Sequence, residues 1–235
     1  MIVSYPKFEF DTPLDSQSTH IILAQTDDFK GRASHYQSLL SDSERQRFRN
    51  HNFVIARGLL RELLGFYLKK APSSLSIQTA EKGKPYIEGS PLHFNVSHSH
   101  NGLAYIFSQN RPVGIDIEYT KKSPLFLKIA RRFFSTSECS FLEMCSEETL
   151  PEKFFQLWTA KEAYAKAIGE GVAAFSSFEV AISKKNSLKI YSFSAKNRQE
   201  NLAWQLKPIH FLESTYCGAY VIKSDSSDEA RLFQL

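Results

Sequence analysis

Val113-Gly-Ile-Asp-Ile-Glu118 alternates strictly, with Val113, Ile115 and Ile117 on one face of an extended chain and Gly114, Asp116 and Glu118 on the other. Period-two alternation marks a half-buried β-strand, so both acids project from one side. Like charges at that spacing repel unless a cation or a proton lies between them. A second segment, Trp158-Thr-Ala-Lys-Glu-Ala-Tyr-Ala-Lys166, reads as helix and sets Glu162 and Lys166 one turn apart on a common face. Two strand carboxylates, a helix carboxylate and its neighbouring lysine make a candidate Mg²⁺ and phosphate site. Mg²⁺ takes oxygen ligands and binds through one or two carboxylates together with substrate phosphates, which suits Asp116, Glu118 and Glu162. Lys166 can approach the same phosphates, whereas Lys161 points about 100° away from Glu162 around the helix.

Upstream of this strand, residues 20–25 read as a strand and Ser41-Asp-Ser-Glu44 as a capping box opening a short basic helix. A longer helix carries Phe53, Ala56, Leu60, Leu63, Leu64 and Tyr67 at helical spacing and is closed by Pro72. Short strands are expected at 75–79, 85–87, 93–96 and 103–107. Downstream, Ser135-Thr-Ser-Glu138 and Thr149-Leu-Pro-Glu152 are further capping-box patterns. The helix opened at Pro151 should end at Gly169, which suits a left-handed cap. Strands are expected again at 178–182, 188–193, 203–206 and 216–222. Each half, 1–112 and 113–235, is thus helix plus short strands, an α+β pattern without βαβ regularity.

Composition narrows the class. With 235 residues, 42% hydrophobic and 19 Phe and 10 Tyr among them, the chain can bury a substantial core. No apolar run is long enough to span a bilayer. Pro6, Lys7, Glu9 and Asp11 interrupt residues 1–11, so no signal peptide is read there. Cys139, Cys145 and Cys217 are odd in number and lack C-x-x-C spacing, which argues against a disulfide framework or a zinc site. A soluble cytoplasmic protein is expected. The net charge of +4 permits an acidic partner or a phosphate-rich ligand without requiring one. Arg45, Arg47, Arg49, Arg57, Arg61, Lys69 and Lys70 concentrate the basic charge, and no RNA-binding or helix-turn-helix motif accompanies them.

Two further segments bear polar groups. In Leu92-His-Phe-Asn-Val-Ser-His-Ser-His100, the histidines have no cysteine nearby and are poor ligands for Mg²⁺; serine and histidine at a strand end suit phosphate oxygens. Ser97 and His98 point to opposite faces of a strand, which argues against a nucleophile–base dyad. Glu81-Lys-Gly-Lys-Pro85 is a cationic turn that fits a plain hairpin as well as a phosphate cradle.

Together these segments resemble the Sfp-type 4′-phosphopantetheinyl transferases. The matches run in the family's order: Lys82-Gly-Lys-Pro85, Phe94-Asn-Val-Ser-His-Ser99, Val113-Gly-Ile-Asp-Ile-Glu118, Arg132-Phe-Phe-Ser-Thr-Ser-Glu138 and Trp158-Thr-Ala-Lys-Glu-Ala-Tyr-Ala-Lys166. They cover roughly residues 40–180, and the last motif is highly specific. The resemblance implies two similar α+β halves related by a pseudo-twofold axis, with coenzyme A in the cleft between them. It implies transfer of the phosphopantetheine arm to a serine of an apo acyl or peptidyl carrier protein, with release of 3′,5′-adenosine bisphosphate.

Carried over by motif, the Mg²⁺ ligands fall on Asp116, Glu118 and Glu162, and the coenzyme A contacts on Lys82, Lys84, Ser97, His98 and Lys166. Glu162, directly or through water, and Glu138 at the mouth of the site are the candidates to take the serine proton. The family's upstream arginine-rich helix is compressed here; Arg45 is the first candidate for the 3′-phosphate, with Arg47, Arg49 and Arg57 competing. A glycine commonly follows the Ser-His-Ser segment, whereas His100 and Asn101 precede Gly102 in this chain. A non-catalytic binding module would be marked by loss of a metal ligand or of Lys166, and neither is lost. Because one chain can form the cleft alone, a pseudo-dimeric monomer is expected.

Overall fold

The computed structural model describes residues 5–47, 50–183, 187–192, 204–211, 215–223 and 230–235. The N-terminal half contains β1 (Thr19–Gln25), α1 (Ala33–Leu39), α2 (Asp42–Arg47) and the long α3 (His51–Leu68). The short strands β2 (Gln78–Thr79) and β3 (Pro85–Tyr86) follow, then β4 (Leu92–Ser99) and β5 (Gly102–Gln109). Next come β6 (Val113–Tyr119), α4 (Phe126–Phe133), α5 (Thr136–Glu143) and the long α6 (Leu150–Ile168). The chain closes with β7 (Phe178–Ile182), β8 (Leu188–Ser192), β9 (Trp204–Phe211), β10 (Tyr216–Lys223) and β11 (Ala230–Gln234).

Two sheets, ordered β11-β1-β5-β4 and β6-β10-β9, form the centre. Alternation sorts their side chains. Ile22 and Ala24 of β1 and Leu103, Tyr105 and Phe107 of β5 pack with Ile55, Leu59, Leu60 and Leu63 of α3. Their neighbours Ile21, Leu23, Ala104 and Ile106 point the other way, onto Val113, Ile115 and Ile117 of β6 and Tyr220 and Ile222 of β10. Ala219 and Val221 on the far face of β10 meet the α6 core of Leu157, Ala160 and Ala163. The result is helix, sheet, sheet, helix. Each half repeats one plan, a long helix laid on an antiparallel sheet whose inner face meets its counterpart. β1 is buried on both faces because both are covered. The terminal β11 departs from the plan, running parallel to β1 at the edge of the N-terminal sheet.

Several local expectations meet their physical outcome here. Ser41 and Glu44 form a reciprocal capping box, and so do Ser135 and Glu138. The box expected at 149–152 does not form: Thr149 already has helical φ and ψ and makes no side-chain cap, so Pro151 alone marks the first turn. Residues 72–74 are a 3₁₀ turn, and the strand expected at 75–79 shrinks to Gln78–Thr79. Gly169 takes the left-handed cap at φ 78°. Residue 193 and residue 203, at the ends of two expected strands, lie outside the described residues, as does Arg49.

Candidate active site

Gly114 decides how closely α6 approaches β6. A Cβ at this position would lie 2.0 Å from the carbonyl oxygen of Ala163 and 2.6 Å from the Ala167 nitrogen. Strand and helix therefore touch backbone to backbone. Asp116 and Glu118 stand on the same face as Gly114, turned toward α6, while Glu162 and Lys166 descend from the helix.

Asp116 is buried, and its Oδ1 accepts from Lys166 Nζ at 2.6 Å and from Ser97 Oγ at 2.8 Å. Its Oδ2 is buried with no hydrogen-bond partner among the described residues. Lys166 Nζ also reaches Ser97 Oγ at 3.2 Å and the Ile115 carbonyl at 3.3 Å. Glu118 Oε2 accepts from Ser99 Oγ at 2.6 Å. Burial raises the Glu118 carboxyl above its ordinary value, Ser99 opposes this, and the Asp116 charge adds to it. Glu162 is raised as well, by burial first, then by Asp116, with Lys166 opposing and Glu118 adding. The three acids and one ammonium thus share one electrostatic environment. They are not drawn to a common point: among the described residues no three such groups are gathered to metal-binding geometry. The Lys166 ammonium and the Ser99 hydroxyl instead take up carboxylate oxygens.

The remaining candidates are placed variously. Lys84 reaches across from the β2–β3 turn to the carbonyls of Val113 (3.1 Å) and Ala167 (3.2 Å), at the start of β6 and the end of α6. Burial lowers its ammonium to about 8. Lys82 is exposed beside Glu81. His98 is exposed, its ring edge-on to Phe53 of α3. Arg45 pairs with Asp42 of its own helix and donates to the Leu40 carbonyl just before it. Arg57 pairs with Glu44, which also holds the buried Arg61.

Glu138 is not brought to the cluster. It is 2% exposed, and both its oxygens accept from Lys161 Nζ, at 2.9 and 3.0 Å. The same two oxygens also take the backbone N–H groups of Val180 and Ser135. With every lone pair engaged, it cannot serve as a solvent-facing base. Lys161, completely buried over the ring of Phe178, faces away from Glu162 as its helical position requires.

Asn95 and Ser99 are site residues that the sequence reading did not single out. The available signal was the polar alternation of Asn95, Ser97 and Ser99 opposite a strand bearing two acids. Beyond Ser99 the chain turns through His100, a non-glycine residue at φ 54° whose ring stacks on Tyr119 at 4.9 Å.

The family model for the 4′-phosphopantetheinyl transferase superfamily (ACPS) matches residues 112–222. The chain is 34% identical over 162 residues to the 4′-phosphopantetheinyl transferase HetI of Nostoc sp., covering 66% of this chain and 68% of that protein. It is 32% identical over 164 residues to the 4′-phosphopantetheinyl transferase Sfp of Bacillus subtilis, covering 66% and 72% respectively. To the transferase gsp of Aneurinibacillus migulanus it is 39% identical over 114 residues, 48% of this chain and 46% of that one. The chain belongs to the 4′-phosphopantetheinyl transferase superfamily.

Proposed function

We infer that this protein transfers the 4′-phosphopantetheine arm of coenzyme A to a serine of an apo carrier protein, releasing 3′,5′-adenosine bisphosphate. The observation that carries the reading is the Lys166 ammonium of α6 set 2.6 Å from Asp116 Oδ1 of β6, with Glu118 and Glu162 in the same electrostatic environment, in a chain of this family. The transfer moves a phosphoryl group from one oxygen to another, so positioning and charge neutralisation are most of the task.

The donor set fits Mg²⁺. All three acids are oxygen ligands, and Asp116 keeps a buried oxygen with no partner, a costly arrangement for a carboxylate that a hard cation would relieve. Asp116, Glu118 and Glu162 would hold the ion, which when bound supplies charge neutralisation for the diphosphate. Lys166, whose ammonium already lies between Asp116 and Ser97, binds phosphate oxygens. Ser97, Lys84, Lys82 and His98 bind the remaining polar groups of coenzyme A, with Arg45 at the 3′-phosphate. Glu162, directly or through water, takes the proton from the carrier serine. Glu138 is assigned instead to holding α5 against α6.

The two halves, 1–112 and 113–235, act as one monomeric unit in the cytoplasm, the C-terminal strand crossing back to the first. Among the described residues no helix is long and apolar enough to cross a membrane. The carrier is an acidic helical protein of fatty-acid, polyketide, peptide or lysine metabolism. A panel of such apo carriers, incubated with the protein, Mg²⁺ and coenzyme A, should gain the mass of the arm. Glu162→Gln should abolish the gain while leaving the fold intact; full turnover by that variant overturns the assignment. Cleavage of coenzyme A with no carrier present would mark a phosphohydrolase instead.

A further inference from the structure

The two sheets meet along β4 and β6, and no backbone ladder joins these strands. Among the described residues β6 pairs only with β10, and β4 only with β5. An edge strand presents N–H groups that need acceptors. On β6 these are supplied by side chains. Asn95 Oδ1 accepts from Ile115 N at 3.0 Å, Ser97 Oγ from Ile117 N at 3.2 Å and Ser99 Oγ from Tyr119 N at 3.0 Å. The spacing is two residues on each strand, so three side chains of one β4 face stand in for a ladder.

Two of these rungs do more. The Ser97 hydroxyl also donates to Asp116 Oδ1, and the Ser99 hydroxyl to Glu118 Oε2. A hydroxyl can accept a backbone N–H and donate its own proton at once, which links the strand register to the direction of a carboxylate. At the third rung the residue preceding the captured N–H is Gly114, which has no side chain to orient, and an amide suffices. Ser97 is already assigned to coenzyme A; Ser99 has no assigned part in the reaction.

We propose that Ser99 is a positioning residue for Glu118, fixing its carboxylate from the N-terminal half so that it is aimed for the divalent ion. This rests on the transferase reading and on Glu118 as a ligand of that ion. Hydrogen-bonded partners of metal-ligating carboxylates govern affinity because they hold the ligand in its binding orientation.

The test uses the full-length protein and Mn²⁺ alone as probe, titrated by electron paramagnetic resonance without carrier, alongside the Mg²⁺ dependence of transfer. Ser99→Ala should weaken Mn²⁺ binding and raise the half-saturating Mg²⁺ about tenfold. The thermal midpoint should change little, since water can reach the Tyr119 N–H at the exposed end of the strand. Ser99→Thr, which keeps the hydroxyl, should restore both. In a Glu118→Gln background, Ser99→Ala should cause no further loss of Mn²⁺ affinity. If Ser99→Ala does not fold, Ser99→Cys, with its weak donor, is read in the same way. Wild-type Mn²⁺ affinity in a folded Ser99→Ala or Ser99→Cys protein overturns the proposal. Failure of the parent reading looks different, because then the wild-type protein itself neither binds Mn²⁺ nor modifies a carrier.

Discussion

Gly114 and Glu162 show how single positions set what the site can do. The steric demand at Gly114 comes from the backbone of α6, so no rotamer change can absorb an added methyl group. Gly114→Ala should cost about 3 kcal/mol, at the upper end of overpacking penalties, and chemical denaturation should report it as a lowered midpoint. Glu162 bears the opposite signature, since it weakens the ligand-free fold. A carboxyl raised above its unfolded value supports the folded state below that unfolded value, and this support is lost as pH rises through the folded value. With divalent ions chelated, Glu162→Gln should therefore melt higher than wild type at pH 7–8. The gain should shrink as pH falls toward the ordinary range of a glutamate. A variant less stable than wild type at neutral pH would contradict this sign. The alternation of residues 113–118 made both acids legible in the sequence. That Asp116 would keep one oxygen unpartnered was not, because it depends on what the other elements bring to it.

Among elements, α6 is the most legible in the sequence: its course to Ile168, its glycine cap and the common face of Glu162 and Lys166. Helical spacing puts the adjacent Lys161 off that face but does not give its destination, because its partner Glu138 is 23 residues away on α5. The capping box that made Glu138 visible in sequence is also what turns its carboxylate inward. Lys161→Ala would leave that carboxylate buried and uncompensated, costing about 3–5 kcal/mol. Equilibrium unfolding should show the loss, while the coenzyme A KM of the folded fraction should stay near wild type. Replacing both partners by apolar residues should recover much of the stability. A similar long-range dependence hid β11, whose pairing with β1 joins residues more than two hundred positions apart. It also hid the Arg61–Glu44 pair beneath α3.

At the scale of the molecule, the α+β class and the helix-plus-strand content of each half could be read from periodicity. The face-to-face stacking of the two sheets could not, because alternation says which side of a strand is buried and not what covers it. Nor could the line along which they join. Along that line β4 is bonded to β6 by one amide and two hydroxyls, which can open without disturbing a single rung of either sheet. Deuterium uptake should register such opening directly. The amide protons of Ile115, Ile117 and Tyr119 should exchange faster than those of β6 that face β10, by way of brief local openings between β4 and β6. A diphosphate ligand bound across both strands would hold that line closed and slow the uptake.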